Sequence, residues 1–419
     1  DDFIATAGRD GRSDADLEQE LDDLLRLAVR QRMIADVPFG VFLSGGIDSS
    51  TVAAMMQAQS NEPIRTFTIG FDNQTYDEAS DAKAVADHLG TAHSELYLND
   101  DDLRAVLPKL PTMYDEPFAD SSEIPTYLVS QMARREVTVC LAGDGGDEMF
   151  GGYNRYLWCD RIVRRTGRLP AGLRKGLACG LNSLPPHAWT AGFDRLNPLL
   201  PGRLRQRDAG DKLHKLARAL AADDLGAMYD DIMTFWPGGS ITPGAKPAAN
   251  LIGSRQDWPA IDDPRRLMMY LDTRAYLPDD LLTKVDRASM AVSLEVRVPM
   301  IDHRVLAFSW GLPERLLFAE GKGKQLLRRV LYRYVPSALI ERPKWGFQVP
   351  VHSWLRGPLR EWAEDLLDET KMRAEGYLDP GPIRRQWQQH LSGRYNWQHS
   401  LWGVLMFQAW LRENEPVGG

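Results

Sequence analysis

The chain is poor in cysteine, with only Cys140, Cys159 and Cys179 among 419 residues. The number is odd, and neither a CxxC nor a Cys/His metal spacing occurs. This argues against a disulfide framework and a structural zinc site. Reduced thiols in a cytosolic protein are the expected reading, so a cytoplasmic location follows. No stretch approaches the ~18 uninterrupted apolar residues that span a bilayer. Asp1-Asp2-Phe3-Ile4 has neither the basic start nor the apolar core of a signal peptide. An initiator Met is also missing, so the chain is expected to be a processed product or a fragment. Positive charge is not in excess: 50 Lys and Arg face 58 Asp and Glu, for a net charge of −8. That disfavours a general nucleic-acid binder but leaves room for a local basic pocket. No internal repeat or low-complexity segment stands out.

What is present points to a folded α/β chain. With 43% hydrophobic and 26% charged residues, it supports a large core in two or more layers or subdomains. Ser13, with Asp16 three residues on, predicts a capped helix start. Leu17, Leu21, Leu24, Leu25 and Ala28 then share one helical face. From residue 37 strands and helices alternate. Strands are expected over 38–43, 64–69, 93–98 and 137–141, and helices over 49–59, 78–89, 100–114 and 123–135. Such alternation predicts βαβ units and a parallel twisted sheet with flanking helices. Right-handed crossovers place the strand C-termini along one edge, where ligands bind in open α/β sheets. Beyond Tyr156 the pattern changes. Residues 160–260 hold helical patches broken at Leu184-Pro185-Pro186 and Trp236-Pro237-Gly238-Gly239, and 264–335 read as helical. The expected organisation is a linker and leading helix over 1–36 and an α/β core over 37–158. A mainly helical region over 159–419 would pack on the core and complete the site.

Three motifs carry residue types suited to phosphate chemistry. Leu43-Ser44-Gly45-Gly46-Ile47-Asp48-Ser49-Ser50 lies where a strand turns into a helix. Glycines let a phosphate approach the backbone, and a helix N-terminus offers unpaired N–H groups and a positive dipole end. Ser44, Ser49 and Ser50 add hydroxyls. Asp48, acidic beside a polyanion, makes sense as a Mg²⁺ holder. Taken alone, the loop reads as well as a capped turn; its strand-before, helix-after setting favours phosphate. It is not a Walker A loop, since no Gly-Lys-Ser/Thr follows. The second motif, Leu141 to Tyr153, contains Gly143-Asp144-Gly145-Gly146-Asp147-Glu148. It is no dinucleotide fingerprint, because Glu148 stands where the third glycine belongs. Its three carboxylates on a glycine-rich turn suit a Mg²⁺–phosphate site. In the third, Glu320 to Arg329, Gly323-Lys324 opens a helix and could bring a fixed positive charge to a developing anion. Alone, such a basic run is usually a solvated helix face.

The first loop resembles the SGGxDS pyrophosphate loop of the N-type ATP pyrophosphatases, which split ATP between its α- and β-phosphates. The ordered set of three motifs resembles the synthetase domain of the glutamine-hydrolysing asparagine synthetase family, from about residue 14 to 360. Thr66 to Phe71, Glu295 to Asp302 and the Lys344-Trp345-Gly346-Phe347 turn extend the match. The resemblance implies an adenine nucleotide alpha hydrolase-like fold followed by a mainly helical C-terminal half. It implies that Ser44, Gly45, Gly46, Asp48, Ser49 and Ser50 bind the phosphates of ATP that leave as pyrophosphate. Backbone groups at Leu43 and Ile69 would read adenine, with Ala142 and Gly143 beside the ribose. Asp48 and Asp147 match the family's Mg²⁺ carboxylates, and Lys324 its pyrophosphate-binding lysine. Asp144 stands at the catalytic-acid position, one methylene shorter than the Glu of many asparagine synthetases. The β-lactam-forming relatives carry Tyr there.

The implied reaction is adenylation of the aspartate side-chain carboxylate, with release of pyrophosphate. Ammonia then displaces AMP to give asparagine. Full-length relatives begin with a cysteine glutaminase domain, and nothing in this chain matches it. The chain is therefore expected to use free ammonia, with a glutaminase domain expected in the full-length protein. Asp115 to Ser122, Arg297 and Lys284 are candidate contacts for the amino acid, though each serves equally as an ion pair or helix cap. His88, His93 and the twelve tryptophans are assigned to structure. No nucleic-acid or membrane partner is expected, and a homodimer is allowed. Two alternatives stay open. One is a related adenylating amidotransferase or cyclase acting on a sugar acid or peptide. The other is a catalytically silent nucleotide-binding module.

Overall fold

The computed structural model describes residues 8, 10–71, 78–166, 169–196, 209–236, 240–245, 251–342 and 349–414. The Lys344–Phe347 turn, Asp1–Ile4 and Pro237–Gly239 lie outside them.

Ser13 caps helix α1 (Asp14–Arg32) as its spacing predicts, accepting the Asp16 N–H at 3.2 Å. Asp16 does not reach back to the cap backbone; it accepts the Ser13 hydroxyl at 2.6 Å instead. Leu17, Leu21, Leu25 and Ala28 are buried, whereas Leu24 is only half-buried. Asp22 takes a buried place because Tyr334 donates a hydrogen bond to it at 2.7 Å.

The sheet has five parallel strands in the order β3-β2-β1-β4-β5. They are β1 (Phe39–Phe42), β2 (Arg65–Phe71), β3 (Ala92–Leu98), β4 (Val139–Leu141) and β5 (Glu295–Arg297). Helix α2 (Ile47–Gln57) follows β1, and α3 (Ala79–Leu89) follows β2. Helices α4 (Glu123–Ala133) and α5 (Gly146–Phe150) flank β4 along the chain. Within β2, residues Thr66 to Gly70 are all buried, as expected of a strand covered on both faces.

Two expectations are corrected. The helix predicted over 100–114 breaks into Asp100–Arg104, Leu107–Lys109 and Leu110–Met113. Pro108 and Pro111 lack the N–H that a continuous helix needs. The region read as helical over 264–335 also contains β5, placed between α6 (Thr283–Met290) and α7 (Gln325–Tyr332). With one apolar residue in three, β5 carries no strand periodicity. Pairing makes it a strand: the Glu295 N–H donates to Thr138 O at 3.0 Å, and the Ala142 N–H to Arg297 O at 2.9 Å.

The chain forms two compact units. The first comprises Asp1–Tyr114, Asp120–Leu157 and Pro259–Val349 and holds the whole sheet. The second comprises Asp115–Ala119, Trp158–Trp258 and Pro350–Gly419, and its described residues include no strand. In it, Ala171–Asn182 and Pro186–Leu196 pack on Ala209–Ala221, with Ala178, Ala217 and Leu220 in a small core. Trp354, Trp387 and Trp402 are among its buried side chains, a structural use of tryptophan.

Candidate active site

Parallel pairing brings the ends of β1 and β4 to one edge, side by side. From β1 the chain runs outward through β2 to β3, then returns to place β4 on the other flank of β1. Ligands in open α/β sheets bind at such a reversal of strand order. The first loop leaves β1 there and the second leaves β4.

The first loop closes on itself through serine. The Ser44 and Ser49 hydroxyls are 3.0 Å apart, and Ser49 Oγ accepts the Ser44 N–H at 3.2 Å. Ser44 Oγ accepts the Gly46 N–H at 3.3 Å. Gly46 precedes α2 without offering a side-chain cap, and Asp48 lies in the first helical turn. Ser50 stands apart, fully buried in α2. Leu43, Ile69 and Ala142 are buried on their strand ends. The Leu43 N–H donates to Phe67 O at 2.9 Å.

The third motif meets the second backbone to backbone. Lys324, left-handed at φ 59°, precedes α7, and its N–H donates to Phe150 O at 3.0 Å. A Cβ on Gly323 would lie 2.0 Å from Gly151 O. One on Gly152 would lie 1.9 Å from Asp147 Oδ1. These glycines permit the close approach. Lys324 is only 4% exposed, and its ammonium donates to Asp48 Oδ2 and pairs with Asp147 Oδ1 at 2.6 Å. All three motifs therefore converge on one buried cation. Lys322, two residues earlier, is exposed and pairs with Glu341 at 2.5 Å.

Asp144 is partly exposed, yet desolvation pushes its carboxyl pKa up. Lys284 opposes that shift, while Asp48 and Asp147 add to it. Lys284 itself is buried and gives its ammonium to Asp120 Oδ2 at 2.7 Å and Ser122 Oγ at 2.8 Å. Burial would raise the Asp120 pKa, but the Lys284 charge outweighs it and holds that carboxyl below its ordinary value. Of the Asp115 to Ser122 stretch, residues 120–122 belong to the first unit and 115–119 to the second. Arg297 is placed elsewhere. Its guanidinium pairs with Glu295 at 2.7 Å and donates to Arg32 O, at the end of α1, and to Ile34 O just beyond it. The Nε2 of His88 contacts Tyr334 O, and the Nδ1 of His93 contacts Thr66 Oγ1.

Two acidic residues near these groups, Glu123 and Asp280, escaped the sequence reading. Burial raises Glu123 well above its ordinary pKa and Asp280 to about 7, with the Asp120 charge adding to both. Glu148 reaches about 7, chiefly by burial, while Tyr153 donates to it at 2.6 Å. Glu148 is one of the three carboxylates that the second motif offered in the sequence. Glu123 and Asp280 carry no local signal, because only packing of α4, α6 and the π-helical stretch Asp272–Leu282 desolvates them. Arg342 was also missed. It lies against the first loop, donating to Gly45 O at 2.8 Å.

Among the described residues, no helix is long and apolar enough to cross a membrane. The family model for asparagine synthase matches residues 20–412. The chain is 32% identical over 392 residues to a putative glutamine-hydrolysing asparagine synthetase of Mycobacterium tuberculosis, covering 93% of this chain and 57% of that protein. It is 30% identical over 394 residues to glutamine-hydrolysing asparagine synthetase 1 of Bacillus subtilis, covering 94% and 59%. A more distant relative is amidase chry2 of Gibberella zeae, 24% identical over 427 residues, covering 94% and 60%. The chain thus spans less than two thirds of the length of these relatives. With the family's motifs joined at Lys324 and the family match running through both compact units, this chain belongs to the asparagine synthase family.

Proposed function

We propose that this chain is an ATP-dependent amide-forming ligase. It adenylates the side-chain carboxylate of aspartate and releases pyrophosphate, and ammonia then displaces AMP to give asparagine. The observation that carries the reading is the convergence of Asp48, Asp147 and Lys324 beside a serine- and glycine-rich loop at the sheet's switch point. A carboxylate is a poor acyl donor, and adenylation supplies a good leaving group.

The residues fit Mg²⁺ in the manner usual for nucleotide sites, through one or two carboxylates completed by substrate phosphates. Two carboxylates here already converge on one cationic point. Among the described residues, no group of three or more His, Cys, Asp or Glu could hold a metal by itself. Asp48 and Asp147 would hold the ion. When bound, it neutralises phosphate charge. Lys324 supplies a fixed positive charge to pyrophosphate as the phosphorus–oxygen bond breaks. The first-turn N–H groups of α2 receive phosphate oxygens. Asp144, with its raised pKa, is a better proton acceptor than an ordinary aspartate. It takes a proton from the attacking nitrogen as the amide forms. Ammonia is supplied by a glutaminase domain of the full-length protein, in keeping with the glutamine-hydrolysing designation of the longer relatives. A cytoplasmic location is proposed from the cysteine usage.

The amidase-named relative favours a second reading, adenylation of another carboxylate. ATP–pyrophosphate exchange across aspartate, sugar acids and peptides separates the two, with ammonia added to identify the amide. Exchange with aspartate and formation of asparagine are expected. Exchange with a uronic acid or peptide but not aspartate would replace the leading reading.

A further inference from the structure

We propose that Arg342 is a positioning residue of the phosphate loop. Braced by Asp81, it pins the Gly45–Gly46 peptide by its carbonyl and so turns the Gly46 N–H toward the departing pyrophosphate. The inference rests on the ATP-cleaving reading above.

Arg342 makes three contacts from one planar fork. Its Nη2 donates to Gly45 O at 2.8 Å, its Nη1 donates to Leu339 O at 2.8 Å, and its Nε faces Asp81 Oδ2 at 2.8 Å. Asp81 lies in the first turn of α3. The guanidinium is therefore anchored from two directions while it grips the loop from a third. An exposed Arg–Asp pair alone would contribute little. This one is different because a loop carbonyl completes it.

A trans peptide points its C=O and N–H to opposite sides. Anchoring the Gly45 carbonyl on Arg342 turns the Gly46 N–H the other way. There, among the described residues, it meets Ser44 Oγ at 3.3 Å, a long contact that a phosphate oxygen would replace with a stronger, charge-assisted one. Gly45 suits this arrangement, with φ at +68°. A Cβ there would lie 2.3 Å from Arg342 Nη2 and 2.9 Å from the Ala82 nitrogen. Loop, arginine and α3 are thus packed without room for a side chain.

Among the described residues, the guanidinium also keeps donors in reserve. It has five N–H groups, and among the described residues these contacts engage three. Its side chain is 23% exposed, so the charge is neither sealed off nor fully solvated. Arg342 thus acts through the loop it holds, from the side of the peptide opposite the Gly46 N–H.

Calorimetric titration of Mg²⁺–pyrophosphate and of AMP into the 419-residue chain, R342M, R342K and D81N tests this. R342M should weaken pyrophosphate about ten- to hundredfold, the worth of a charge-assisted hydrogen bond. AMP affinity should be unchanged. R342K should recover part of the loss, since it keeps the charge but not the fork. D81N should weaken pyrophosphate by a smaller factor, because the cation stays but its brace is gone. Unchanged pyrophosphate affinity in R342M overturns the inference, as does an equal fall for AMP and pyrophosphate. If R342M does not fold, D81N decides, and unchanged pyrophosphate affinity there overturns it. An unsubstituted chain that binds neither ligand overturns the ATP reading and this inference with it. Equal pyrophosphate affinity in the unsubstituted chain and R342M removes only the role of Arg342.

Discussion

Lys324→Met removes the one charge on which three motifs meet and keeps most of the side-chain volume. The Lys324 side chain is 5% exposed, and those of Asp48 and Asp147 are 16% and 15% exposed. At 2.6 Å and an effective dielectric of about 20, the Lys324–Asp147 attraction alone is roughly 6 kcal/mol before desolvation. Desolvation cancels much of it. Removing one partner of a buried pair still costs roughly 3–5 kcal/mol, because an uncompensated charge remains. The two carboxylates keep some solvent, so about 3 kcal/mol is expected. Urea unfolding should report this as a lower midpoint. Adding Asp147→Asn to Lys324→Met should recover part of the loss, since half of the stranded negative charge is gone. Mg²⁺ should raise the midpoint of Lys324→Met more than that of the unsubstituted chain. ATP–pyrophosphate exchange should fall about 10²- to 10³-fold, the usual cost of losing one charge-stabilising donor. A stability equal to that of the unsubstituted chain, with no recovery in the double variant, would refute the cation-bridge argument.

Two further outcomes follow from burial and close packing. Glu148 titrates near 7 when folded against an ordinary value of 4.5, so the folded chain keeps a proton that the unfolded chain has lost. That stabilisation is full below the unfolded value and is lost as pH rises through the folded one, a change of up to about 3 kcal/mol. Glu148→Gln should therefore gain on the unsubstituted chain between about pH 5 and about pH 8 in urea unfolding; a constant difference across that range would count against it. Gly323→Ala would set a Cβ 2.0 Å from Gly151 O. Backbone must move, so a stability loss of about 1–3 kcal/mol is expected by thermal unfolding. An unshifted transition would mean that the two motifs do not approach as described.

Of the four strands that the sequence revealed, β1 and β4 are short apolar runs and β2 is buried from Thr66 to Gly70, as strands covered on both faces are, whereas β3 at the sheet edge is mostly part-buried. Ser13 likewise announced α1, because capping is a local hydrogen bond. The fifth strand was not legible. Glu295–Arg297 has too few apolar residues to show a period, and the hydrogen bonds that make it a strand come from the distant β4. The same limit hid the neighbours of Lys284. Its partner Asp120 is 164 residues away, and the burial that raises Glu123 and Asp280 is created only when helices pack.

The sequence by itself determined the chemistry on offer: a serine- and glycine-rich turn into a helix, a carboxylate-rich turn after a later strand, and lysines beside glycine. Turn and cap preferences are local, so those features are readable residue by residue. Tertiary structure decided which of them meet. Lys322 and Lys324 are two positions apart and look alike in the sequence, yet one is exposed and the other lies buried between Asp48 and Asp147. The Lys324–Asp48 contact spans 276 residues. Only strand order, the backbone approach at Gly323 and the exclusion of water turn that separation into a single charged site.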